Sequence, residues 1–217
     1  MIRPNGFTLI ELLLATTVTA ILALLATSTL ASAASGYRSS QYRQSLTADA
    51  RRMSGLIAAD IRRSLVAPVV LPPISVGQQS AVMTEVAILD IDGNPTAASE
   101  RHIYCLDSQH DLLLFSGSAA GSPNGGVDCS TVGVSALFAA QPSMVALNEP
   151  VILAGARSLV QALQFTSLQN GLAVQTDLGA TYSLGAAADT RAADVFGLGT
   201  PVIISTVAVR NSNYTVQ

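Results

Sequence analysis

From Leu12 to Ala34 the chain contains only Leu, Ala, Val, Ile, Thr and Ser, and no charge separates Glu11 from Arg38. A helix over that run is about 30 Å long or slightly more, which matches the hydrocarbon core of a bilayer. Lipid offers the backbone no hydrogen-bond partner, so a single span must be helical, and this run restricts the fold more than any other feature. The whole chain of 217 residues holds one ordinary domain plus an extra element, but hardly two full domains. Charged residues make up 12% and apolar ones 49%, and the mean hydropathy is +0.45. That balance suits one membrane segment attached to a soluble body.

The formal net charge is −3 and every basic side chain is Arg. Beyond the pairs Arg51/Arg52 and Arg62/Arg63 there is no basic cluster, so a nucleic-acid partner is not expected. A secretory signal peptide competes for the N-terminal run, since "ASAAS" (Ala31–Ser35) offers a small-residue cleavage site. Two features oppose it. Signal peptides carry an apolar region of about 7–15 residues, shorter than this one. Glu11 also stands inside the run, where an ionised carboxylate costs about 2.5–3.5 kcal/mol or more. A carboxylate kept there needs a partner.

The basic hexapeptide MIRPNG followed by FTLIELLLA resembles the leader and start of a type IV pilin or pseudopilin precursor, the class III signal sequence. The resemblance implies cleavage by a membrane prepilin peptidase between Gly6 and Phe7, and methylation of the new N-terminal Phe7. It implies that Glu11, one helical turn on, meets the Phe7 ammonium of a neighbouring subunit during assembly. Opposite charges near 4 Å in a low-dielectric bundle attract strongly and offset each other's burial cost. The partners implied are the prepilin peptidase, other major and minor pilin subunits, and an inner-membrane assembly platform. No cofactor is implied.

After Gly36, Leu46, Ala50, Met53, Ile57, Ile61 and Leu65 recur at three- and four-residue steps, which predicts a helical stripe packed on the protein's own sheet. Asp49, Arg51, Arg52, Asp60, Arg62 and Arg63 fall mostly off it. Ala67-Pro68 predicts the end of the helix, because the residue before Pro is pushed out of the α region. "APVVLPPISVG" reads as an extended connector. Pilins commonly carry a kinking Pro in the apolar helix; here none lies between Pro4 and Pro68, and Thr27, Ser28 and Thr29 are the positions that could soften it instead.

From about Val82 the pattern is β-like. "VMTEVAILDID" leads to a turn at Asp92–Pro95, "RHIYCL" and "DLLLFS" form a hairpin around Asp107–His110, and "SLVQALQFTSLQ" and "LAVQTDLG" flank the hairpin signal Asn170-Gly171. "TPVIISTVAVR" supplies a last strand. Residues 116–126 read as a flexible loop and 185–200 as irregular. The expected fold is therefore α+β: a long N-terminal helix, half transmembrane and half amphipathic, laid on an antiparallel sheet in the pilin manner. The expected divisions are a leader at 1–6, a membrane and filament-core helix at 7–35, its amphipathic continuation at 36–66, and a β-rich body at 67–217. A single-pass inner-membrane protein with a periplasmic body, passing later into a pilus or pseudopilus, is implied.

Within the family "ARRMSGLIAADIRRSL" and "ILAGARSLVQALQF" look closest to PilW-type minor pilins or J-type minor pseudopilins. That implies a minor subunit priming or tipping a type IV pilus, or alternatively one of a type II secretion system. Some tip subunits lack the acidic residue, so Glu11 points to a subunit docking below another.

Cys105 and Cys129 lie on the exported side, where an oxidising compartment permits a disulfide. His102 and His110 flank Cys105, so a zinc site is the alternative, but the spacing matches no standard metal pattern. Asp90, Asp92 and Asn94 resemble a calcium loop with the Gly at the fourth place instead of the sixth, so a turn is preferred. No G-x-S-x-G, H-E-x-x-H or phosphate loop occurs, and "GLGTPV" precedes a strand; an enzyme is not expected. A tip-located binding module fits the fold, but no basic or aromatic stripe supports it.

Overall fold

The computed structural model describes residues 8–74, 80–121, 126–148, 157–169, 172–183 and 202–210. The chain divides into two compact units, Met1–Tyr42 and Arg43–Gln217. Helix α1 (Leu9–Arg62) begins in the first and ends in the second.

In the first unit α1 shows its apolar side chains outward, among them Leu9, Ile10, Leu13, Ile21, Leu24 and Leu30. Its most apolar 18-residue window has a mean hydropathy of 2.3, and the helix is long and apolar enough to cross a membrane. Six hydroxyls of this stretch are satisfied locally. Thr16, Thr17, Thr19, Thr27, Ser28 and Thr29 each donate a hydroxyl to a carbonyl three or four residues back. Such back-bonding keeps these hydroxyls from seeking water, though it tends to bend helices slightly.

In the second unit the predicted stripe is core. Leu46, Ala50, Met53, Ile57 and Ile61 are buried, with Ala58 beside them, while Leu65 is half-buried. The helix stops at Arg62, before the predicted Ala67-Pro68 boundary. The backbone leaves it early to pair with a strand: Leu65 donates its N–H to Glu85 at 2.7 Å and Ser64 bridges Val86. Tertiary pairing supplies partners sooner than Pro68 would have forced the exit.

The β residues form two antiparallel sheets where the sequence suggested one. The first has the order β1 (Val69–Leu71), β2 (Ala81–Leu89), β3 (Pro95–Leu106), β4 (Leu112–Gly117), β5 (Ser143–Ala146). The second has the order β6 (Arg157–Leu168), β7 (Ala173–Ser183), β8 (Val202–Val209). β1 is three residues long with prolines on both sides, so it cannot extend a ladder. Where the sheets meet, Phe165 donates its N–H to the Ser80 hydroxyl at 2.8 Å, a side-chain link in place of strand pairing.

The hairpins β2–β3, β3–β4 and β6–β7 fall where expected, although Asn170 and Gly171 themselves lie outside the described residues. The connector holds strand β1, and the exposed β5 and the short helix α2 (Thr131–Ser135) were not foreseen. The expected flexible loop is corrected in part. β4 runs to Gly117, and residues 118–121 are pinned: Ala120 donates to Leu137 O, and Arg101 donates to the carbonyls of Ala120, Gly121 and Leu137. Residues 122–125 and 185–200 lie outside the described residues.

One face of the first sheet, with Met83, Ile103, Cys105, Leu113 and Phe115, packs under Val127, Cys129, Val134, Leu137 and Phe138. At the edge of that cover a Cβ on Gly126 would lie 2.3 Å from Pro72 O, so only glycine allows the close approach that lets Val127 donate to Pro72. The opposite face, with Val82, Thr84, His102 and Tyr104, carries the contact to Asp60 of α1.

Candidate assembly site

The start of α1 is built by a local exchange between Thr8 and Glu11. The first N–H groups of a helix have no partner within it, and a Thr followed three residues later by Glu can satisfy them reciprocally. Here the Thr8 N–H donates to Glu11 Oε2 at 3.0 Å and the Thr8 hydroxyl donates to the same oxygen at 2.8 Å. The Glu11 N–H returns a longer bond, 3.4 Å, to Thr8 Oγ1. The acidic residue thus sits in the first turn, where the positive end of the helix dipole favours it. Gly6 and Phe7, the expected cleavage and methylation residues, lie outside the described residues. Thr8 was not singled out from the sequence, yet its signal was there: Thr-x-x-Glu immediately before an apolar run.

A second polar constellation ties the end of α1 to the sheet. The Asp60 carboxylate takes the Tyr104 hydroxyl at 2.5 Å and lies 2.6 Å from His102 Nδ1, both on Oδ2. Arg63 donates to its Oδ1 at 2.5 Å. His102 Nε2 is 3.6 Å from Glu100. Burial pushes the Asp60 carboxyl up, but hydrogen bonds from His102, Tyr104 and Arg63 outweigh it and leave the acid below its ordinary value. Burial, followed by the Asp60 charge, pushes the Tyr104 phenol well above its ordinary value. Spacing puts Asp60 mostly off the packed stripe; it is buried instead, because the residues opposite it are donors. Periodicity alone cannot see that.

Cys105 and Cys129 are joined in a disulfide, with Cα atoms 5.7 Å apart. Both sulfurs are therefore used, and the neighbouring histidines are engaged elsewhere: His102 with Asp60, His110 with the Val160 carbonyl at 3.1 Å. Among the described residues no three His, Cys, Asp or Glu side chains group in a way that could hold a metal ion. The Asp90 carboxylate, the first residue of the calcium-like stretch, accepts the N–H groups of Asp92 and Asn94 and closes the β2–β3 turn, with Gly93 at φ 82°. It is a turn.

Residues 1–27 match the family model described as the prokaryotic N-terminal methylation motif. The chain carries that motif. The match takes in the hexapeptide, Phe7, the Thr8–Glu11 exchange and the start of the apolar run, and it leaves the body unassigned. No curated protein matches the chain significantly. Among solved structures the chain is similar to a type IV-like pilin from Thermus thermophilus, at 10% identity and a TM-score of 0.42, over 79% of this chain and 97% of that one.

Proposed function

We propose that the chain is a minor pilin, a structural subunit that primes or tips a type IV pilus. The observation that carries this is the methylation motif at residues 1–27 heading a helix long and apolar enough to span a membrane. In this reading residues 1–6 are a leader that prepilin peptidase removes on the cytoplasmic side. Phe7 becomes the methylated N-terminus, residues 7–35 anchor the subunit and later join the filament core, residues 36–66 continue the helix, and residues 67–217 form the exported body. The Glu11 carboxylate pairs with the Phe7 ammonium of an adjacent subunit, which favours docking in register over free diffusion in the bilayer.

Mass spectrometry of the chain from its native membrane tests this. The expected mass begins at Phe7 with one added methyl group. An N-terminus near Ser35 would mean an ordinary signal peptide and overturn the reading. A minor pseudopilin of a type II secretion system would show the same N-terminus, so the assembly with which the processed chain co-purifies separates the two.

A further inference from the structure

We infer that Thr8 is the positioning residue for Glu11 in subunit docking, an inference that rests on the pairing proposed above. Both bonds from Thr8 end on one oxygen, Oε2. Oε1 receives no hydrogen bond among the described residues. The carboxylate is thereby divided between two tasks: one oxygen closes its own helix, and the other is left to meet a cation from outside.

A glutamate without this anchor could turn about its side-chain bonds and would have to be ordered on docking. Ordering a flexible side chain opposes association. With two bonds to Oε2 the rotamer is set before a neighbour arrives, and the orphan N–H groups at the helix start are satisfied where lipid offers no replacement. The hydroxyl is the part that matters. The Thr8 N–H remains in any variant, whereas the 2.8 Å bond from Oγ1 and its return bond from the Glu11 N–H belong to the side chain. Valine has the same shape and cannot make either.

The test is crosslinking of the full chain to neighbouring pilin-like subunits in the native membrane, at matched levels of processed protein. Thr8→Val should lower the yield on the order of fivefold, the equilibrium change that corresponds to losing one helix cap. Thr8→Ser should stay within about twofold of the parent, because serine retains the donor. In a Glu11→Ala background, itself low in yield, Thr8→Val should cause no further loss, since a residue acting through another shows no effect once that other is gone. An equal loss in both backgrounds would show that the hydroxyl acts elsewhere, and a parental yield for Thr8→Val would show that it does not act; either overturns the inference and leaves the pairing standing. A Glu11→Ala variant that crosslinks as well as the parent overturns the pairing, and this inference with it.

Discussion

At the scale of single residues, Asp60 ties the last turn of α1 to β3. Its two oxygens hold Tyr104 and His102 of β3 and Arg63, the residue that follows α1. Asp60→Ala would leave the buried Tyr104 hydroxyl without its acceptor, and orphaning such a group costs several times the net worth of one hydrogen bond. The expected loss is about 3 kcal/mol, read as a lower urea midpoint for the detergent-solubilised chain. An unchanged midpoint would refute the role. The pH dependence follows from the same pair. Asp60 is held below its ordinary value, so the folded chain binds that proton less tightly than the unfolded chain does. Its contribution is full above about pH 4 and is lost as the pH falls through the folded value. Tyr104 is raised, so its contribution is full below about pH 10 and is lost as the pH climbs beyond. Stability should therefore decline at both ends, and Asp60→Ala should flatten the acid side.

At the scale of elements, the cover over the first sheet is held by a covalent bond where secondary structure is thin. The segment from Val127 to Phe138 contains one helix of five residues, yet it buries Val127, Cys129, Val134, Leu137 and Phe138. The disulfide joins it to β3 across 24 residues, and closing a loop of that size removes about 3 kcal/mol of freedom from the unfolded chain. Thiol titration should find no free thiol without reductant. Reduction should lower the denaturation midpoint and raise hydrogen exchange in residues 126–138, while the β6–β7–β8 sheet is spared. Two titratable thiols in the unreduced chain, or exchange that rises equally in both sheets, would overturn this. The Arg101 contacts to Ala120, Gly121 and Leu137 brace the same region and would limit the loosening.

At the scale of the whole molecule, the two units face opposite demands. The first shows leucine and isoleucine to its surroundings, and the second buries its own behind two sheets. Each large apolar side chain removed from water contributes about 1.5–3 kcal/mol, so the exposed set on α1 far exceeds the cost of placing one capped carboxylate near its start. The full chain should stay in the membrane pellet through alkaline carbonate extraction, with or without residues 1–6. Release into the supernatant would overturn the membrane anchor.

The sequence by itself determined the parts whose cause is local or periodic. The apolar run needs only its length and lack of charge, and the hairpins need only alternation and a turn such as Asp90–Asn94. The helix stripe needs only three- and four-residue spacing, and the N-terminal methylation motif needs only adjacent residues. What tertiary structure alone decided depends on partners distant in the chain. Whether Cys105 bonds Cys129 or a metal rests on the covering segment bringing Cys129 to within 5.7 Å between Cα atoms, 24 residues along the chain, while His102 faces the other side of the sheet. Whether Asp60 faces solvent or core rests on Tyr104 lying opposite it. Where α1 ends rests on β2 offering Glu85 O to Leu65. The division into two sheets shows only where β6 meets Ser80, 85 residues away, through a side-chain bond in place of strand pairing. Each of these sets one local preference against a long-range partner, and a spacing along the chain carries no record of which partner will arrive.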